Sequence, residues 1–246
     1  MVSDPYISKP ETIRLVREYL LYSLLNAELL TYPFPHFYAK DCFPEFFYRH
    51  LLHHLPADYK QNGEGKYHGR TFGVPPDFLN WMLDPVFAQT LIGKFHPWAA
   101  KRFQQDPLVL RPEIRMVRDC KGYHISPHTD AAWKVISLLF YLPLEPNFRE
   151  SGPFPPLPND GTSLYIPNDP TFTCPGGPHH RSDQFQLLKT FPFVRNTCFG
   201  FWKTNNSFHG VEPIEHDCQR DVLLYNLYDM FTYKRVNGLG GEAPKT

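Results

Sequence analysis

The chain has no net charge to offer a partner. Its 25 Lys and Arg balance 25 Asp and Glu over 246 residues, and no basic stripe interleaved with aromatics is present to track a phosphate backbone. Nucleic acid is therefore not an expected partner. Cysteine is sparse as well: five residues, at 42, 120, 174, 198 and 218, with no C-x-x-C pair. An odd, scattered set argues against a disulfide framework and against a structural zinc knuckle, so reduced thiols are expected. Long apolar runs are missing too, since no stretch approaches the roughly eighteen residues a membrane span requires. The opening MVSDPYISKPETIRLVREYL lacks the basic-then-apolar pattern of a signal peptide. The expectation is a cytoplasmic protein without a membrane partner. No internal repeat is found.

What the chain does have is aromatics and proline, with 21 Phe, 14 Tyr and 26 Pro, a composition that suits a β-rich fold with many loops. Its length fits one domain, 1–246. In the first hundred residues, Ile13, Val16, Leu20, Leu24 and Leu29/Leu30 recur at helical spacing, which predicts a helix over 11–30. YPFPHFYAKDCF is too rich in proline to continue it, PEFFYRHLLHHLP reads as a second helix between Pro44 and Pro56, and a third is expected over 77–95. From residue 112 the texture changes. EIRMVRDC, KVISLLFYL, TSLYI, FQLLKTF, TCFGFWKT and RDVLLYNLY are short β-branched and aromatic runs between Pro, Gly and Asn, and all read as strands. Helices first and strands afterwards predict an α+β domain: helical support over 1–100, a double-sheet antiparallel barrel or jelly roll over 112–229, and a frayed tail over 230–246. The Pro-rich 143–181 segment reads as two long loops around the TSLYI strand, the kind of loop that serves as a lid or stays disordered.

The polar residues that stand out are His128 and Asp130 in SPHTD, and His209 in TNNSFHGVEP. Two imidazoles and one carboxylate form the three-point face of a non-haem Fe(II) centre, leaving adjacent positions open. If the HTD stretch is extended, residues i and i+2 point the same way and both can reach one ion. Each residue alone reads as ordinary hydrogen-bonded polarity. Arg220, at the start of RDVLLYNLY, adds a planar fork able to grip a carboxylate. His53/His54 and His179/His180 read as solvated, Trp202 and Phe208 as core, and KYHGRTFG (66–73), with Tyr67, His68 and Arg70, as a hairpin.

HTD, FHGV and RDVLLYN, in that order over roughly 112–229, resemble the Fe(II)/2-oxoglutarate-dependent oxygenases, most closely the prolyl-hydroxylase-like branch. The resemblance implies a double-stranded β-helix (jelly roll) core braced by the N-terminal helices. It implies that His128, Asp130 and His209 ligate Fe(II) and that Arg220 salt-bridges the distal carboxylate of 2-oxoglutarate. Tyr141, in FYLP, matches a tyrosine that hydrogen-bonds the same carboxylate, while Arg118 and Tyr123 fall where co-substrate or substrate is contacted. The implied activity is hydroxylation of an unactivated C–H, with 2-oxoglutarate and O2 as co-substrates and succinate and CO2 as products. The Asp130 to His209 gap is long for this branch and leaves the substrate open. A small molecule is expected; a peptide or sugar is compatible. Two alternatives stay open: a cupin-like metal dioxygenase that does not use 2-oxoglutarate, and a non-catalytic jelly-roll binding module. Arg220 separates the first from the main reading, because it has an evident task only if a dicarboxylate binds.

Overall fold

Apolar residues spaced by two on the longest strands decide how this chain layers itself. The computed structural model describes residues 6–55, 67–69, 74–103, 109–143 and 160–238. Helices α1 (Pro10–Asn26), α2 (Glu45–His53), α3 (Pro76–Met82), α4 (Pro85–Lys94) and α5 (His96–Phe103) dominate the first part, with strands β1 (His36–Ala39) and β2 (Tyr67–Gly69) between them. Then come β3 (Leu110–Cys120), β4 (Ile125–His128), β5 (Lys134–Tyr141), β6 (Ser163–Pro167), β7 (Phe185–Thr190), β8 (Thr197–Trp202), β9 (His209–Val211), β10 (Gln219–Asp229) and a closing helix α6 (Met230–Val236).

The strands form two antiparallel sheets, one of six strands in the order β1-β8-β5-β10-β3-β2 and one of four in the order β4-β9-β6-β7. On the large sheet, Ile136, Leu138 and Phe140 of β5 and Leu223, Tyr225 and Leu227 of β10 face the helices. They share one buried cluster with Val16 and Leu20 of α1, Phe47 of α2, Phe78 of α3 and Phe87 and Leu91 of α4. Each such side chain contributes about 1.5–3 kcal/mol of burial. The alternate residues, Ser137, Leu139, Val222, Leu224 and Asn226, face a cavity whose opposite wall comes from β4 and β9. Helices thus cover one face of the large sheet and leave the other for a site. Gly200 of β8 is required on the helix side, where an added Cβ would lie 2.3 Å from the Phe37 ring and 2.8 Å from Leu138.

The α+β expectation and the strand runs agree with this arrangement, but several boundaries differ. The first helix stops at Asn26, because Ala27 turns to extended backbone. The stretch expected as one helix over 77–95 is two: Pro85 lacks the N–H to continue α3, and Asp84 instead caps α4 by accepting from Val86 N at 2.7 Å. Helix α5 was not expected, nor was β1 inside YPFPHFYAKDCF, where pairing with β8 overrides the prolines on either side. The tail is not frayed at its start: Asp229 accepts from the amides of Phe231 and Thr232 and caps α6. Trp202 and Phe208 are buried, as core residues should be. Arg70, residues 144–159 of the Pro-rich segment and residues 239–246 of the tail lie outside the described residues. No described helix is long and apolar enough to cross a membrane.

Candidate metal centre and the adjoining cavity

His128 closes β4 and His209 opens β9, and the two residues are direct partners in the β4–β9 ladder. One rung therefore carries both imidazoles on one face, with ring centroids 4.4 Å apart. Their Nδ1 atoms are tied to backbone carbonyls, His128 to Ser126 O at 3.1 Å and His209 to Ser207 O at 2.8 Å. A carbonyl only accepts, so each Nδ1 carries the proton and each Nε2 presents a lone pair. That is the tautomer in which histidine binds a metal, held by the kind of outer hydrogen bond that orients such ligands. Burial holds both imidazoles below the usual range, His128 down to about 3 with help from neighbouring His209. Both are neutral at pH 7.

Asp130 joins them by a different route from the one expected. It is not part of a strand; it lies two residues past the end of β4, in the link to β5. That link is fixed from above by residues 174–180. Thr129 Oγ1 donates to Cys174 O at 3.0 Å, His180 N donates to Pro127 O at 2.8 Å, and Gly176, at φ +137°, lies so close that a Cβ would meet Asp130 O at 2.5 Å. Only glycine fits there. Burial opposes ionisation of Asp130, but Lys134 Nζ, 2.9 Å from its Oδ1, and the neighbouring His209 and His128 rings together outweigh it and hold the carboxyl below the usual range. Ser137 Oγ donates to the other oxygen at 3.0 Å. The ligand atoms of His128, Asp130 and His209 all lie within 4.8 Å of one another. Two neutral nitrogen donors and one anionic oxygen are a donor set suited to a divalent transition metal.

The same cavity, of about 140 Å³, is lined at its other end by Arg220, Asp119 and Thr162. Arg220 is buried; its Nε donates to Asp160 O at 2.6 Å and its Nη1 is ion-paired with Asp119, its partner across the β10–β3 ladder. Burial alone would disfavour its charge, yet Asp119 raises its pKa, so it stays a cation. Nη2 is buried and has no hydrogen-bond partner among the described residues. A buried N–H of this kind costs about 1–3 kcal/mol until an acceptor arrives.

The remaining candidate residues divide. Tyr123 lines the cavity. Tyr141 stands behind it: its ring lies 5.8 Å from the Arg220 guanidinium, and its hydroxyl accepts from Thr162 N at 3.1 Å and shares a 2.7 Å hydrogen bond with Thr162 Oγ1. Arg118 is turned away. Its Nε and Nη2 grip the two oxygens of Asp221 at 2.8 and 3.0 Å, and it does not line the cavity. Strand alternation accounts for this, since Val117 and Asp119 take the cavity face of β3. Asp119, Thr162, Lys134 and Ser137 escaped the sequence reading, because selecting them requires the register between strands. His179 was read as solvated. Its ring is exposed but stacks on His128 at 4.7 Å.

No family model matches the chain, and no curated protein matches it in sequence. Similarity emerges from solved structures. Among those similar to it are prolyl hydroxylases and 2OG-Fe(II) oxygenases. A prolyl hydroxylase from Trichoplax adhaerens, in complex with a hypoxia inducible factor oxygen degradation domain peptide, aligns over 94% of this chain and 95% of its own at 12% identity, TM-score 0.46. A Pseudomonas putida prolyl-4-hydroxylase aligns over 85% and 97% at 14% identity, TM-score 0.42. HygX from Streptomyces hygroscopicus, with nickel, 2-oxoglutarate and hygromycin B bound, aligns over 80% and 83% at 13% identity, TM-score 0.47.

Proposed function

We propose that this chain is an Fe(II)- and 2-oxoglutarate-dependent oxygenase of one domain, whose two sheets form a double-stranded β-helix core and which hydroxylates an unactivated C–H of a small molecule. The observation that carries the reading is that one cavity holds the His128–Asp130–His209 cluster at one end and a buried arginine with an unsatisfied N–H at the other. The donor set fits iron: two Nε2 lone pairs and an ionised carboxylate converge, and no proton has to leave an imidazole for a metal to bind. Bound there, Fe(II) would supply the activation of O2 coupled to 2-oxoglutarate decarboxylation that the class uses.

The chain's own residues then have distinct tasks. Ser126 O and Ser207 O hold the imidazoles in the ligating tautomer, and Lys134 and Ser137 fix the Asp130 carboxylate. Arg220 Nη2 would donate to the distal carboxylate of the co-substrate. Thr162 offers a second donor: when the Tyr141 hydroxyl, kept protonated by burial, gives its hydrogen to Thr162 Oγ1, the Thr162 hydroxyl hydrogen is free to turn toward the cavity. Tyr141 would thus act on the co-substrate through Thr162. Tyr123 lines the same cavity and would meet co-substrate or substrate; Arg118 braces the opposite face of the large sheet.

Anaerobic titration of the apoprotein with Fe(II) and 2-oxoglutarate tests the reading through the visible metal-to-ligand charge-transfer band of the chelate. A band requiring both components and lost in His128→Ala supports it; iron binding without a band refutes the 2-oxoglutarate part. One observation favours the alternative of a cupin-like dioxygenase. Asp119 already neutralises Arg220, which weakens its pull on a second carboxylate. Succinate release during turnover separates the two.

A further inference from the structure

A second cluster of metal-ligating side chains lies beyond the Arg220 end of the cavity and has no part in the chemistry above. Asp160, three residues before β6, comes together with His216 and Cys218 from the link between β9 and β10. One ligand atom from each lies within 4.8 Å of the other two, and His216 Nε2 is 2.9 Å from Asp160 Oδ2. The carboxylate side chain is 7% exposed and the imidazole 42%, so the cluster is anchored inside and open to solvent on the histidine side. Cys218 is half-buried against Tyr123, Val211 and Ile214.

We propose that Asp160, His216 and Cys218 bind a borderline-soft divalent cation of the zinc class. The donor chemistry selects this ion. A carboxylate, an imidazole and a thiolate together carry two negative charges, and a mixed O/N/S set suits Zn²⁺ better than the hard cations Ca²⁺ or Mg²⁺. Around a tetrahedral zinc, ligand atoms stand roughly 3–4 Å apart, so the cluster needs only a small contraction, with water as the fourth ligand. Binding is balanced in protons. The Cys218 thiol releases one proton to solvent as the thiolate–metal bond forms, and the imidazole hydrogen now between His216 Nε2 and Asp160 Oδ2 moves to Nδ1, freeing Nε2.

The ion would pin two segments that are far apart in sequence. It also reaches the first site through the backbone, because the carbonyl of Asp160 accepts from Arg220 Nε at 2.6 Å. Loading this site would therefore stiffen the support of Arg220, although none of the three ligands lines the cavity.

Cobalt titration of the full-length protein tests the proposal. Co²⁺ held by a thiolate shows a near-ultraviolet sulfur-to-metal charge-transfer band, which the sulfur-free His128–Asp130–His209 cluster cannot produce. The expected result is a band that saturates at one thiolate per chain, persists in His128→Ala and in Cys120→Ser, is lost in Cys218→Ser, and requires at least about tenfold more cobalt in His216→Gln. Cys218→Ser is a near-isosteric change at a half-buried position, and far-ultraviolet circular dichroism checks that it folds. Absence of the band in the unmodified protein, or its survival in Cys218→Ser, overturns the proposal. The outcome is independent of the iron and 2-oxoglutarate titration.

Discussion

Arg220 faces a conflict that its neighbours only partly resolve. Its Nη1 is committed to Asp119 and its Nε to Asp160 O, leaving Nη2 for a ligand. Arg220→Lys keeps a cation beside Asp119 but loses the fork, and is expected to raise the KM for 2-oxoglutarate at least about tenfold with little change in folding. Asp119→Asn removes the repulsion a second carboxylate would meet and is expected to lower the same KM. Opposite movements in succinate-release assays would place both residues at the co-substrate end; a KM unchanged in both would move the grip elsewhere. His128→Ala and Asp130→Ala should each abolish iron binding and decarboxylation and leave the circular dichroism spectrum intact, because neither side chain belongs to the main buried cluster. A third expectation concerns acid. His36 is buried among Phe34, Phe191 and Phe199, and burial lowers its pKa. Its contribution to stability is complete above the ordinary imidazole value of about 6.5. It is lost as pH falls below that value, because the unfolded chain takes up the proton first. Urea melts of the apoprotein should show His36→Phe with a shallower loss between pH 7 and 5, by up to about 1.4 kcal/mol per pH unit. At this scale the HTD spacing, the downstream His209 and Arg220 together singled out His128, Asp130 and His209, whose ligand atoms lie within 4.8 Å of one another. Arg118 and Asp119 were not separable, because adjacent strand residues face opposite ways and only pairing with β10 says which faces in.

At the scale of elements, periodicity was readable where one face is buried and misleading where a single residue interrupts it. Strands β3, β5, β6, β7, β8 and β10 announce themselves through aromatic and β-branched runs, and α1 and α2 through helical spacing; β4 and β9, four and three residues long, carry no such run. The split between α3 and α4 turns on Pro85 and the Asp84 cap, a local signal that continuous apolar spacing hid. Strand β1 has no such signal; Phe37 and Ala39 are drawn into the sheet by β8. The register that results can be tested at Gly200. Gly200→Ala places a methyl against Phe37 and Leu138 and should cost about 1–3 kcal/mol by denaturant unfolding. Metal affinity should hardly change, since that methyl points to the helix side.

For the molecule as a whole, the division of labour between the faces of the large sheet means that folding and the proposed metal binding draw on different residues. The helix-facing cluster stabilises the fold, and the cavity face is free to carry ionisable groups. One consequence concerns the sheet that bears the two histidines. Strand β4 is four residues long and, among the described residues, lies at the edge of its sheet and pairs only with β9, through an irregular register. Edges of this kind open most readily. Because His128 and His209 are ladder partners, an ion bound to both would act as a rivet through that rung. Amide hydrogens of Ile125, Ser126 and His128 and along 209–211 should then exchange with deuterium slowly in the metal-loaded protein and much faster after chelation, while those of β5 and β10 stay protected in both states. Strand β4 would be the first part of the cavity wall to come loose when the metal leaves.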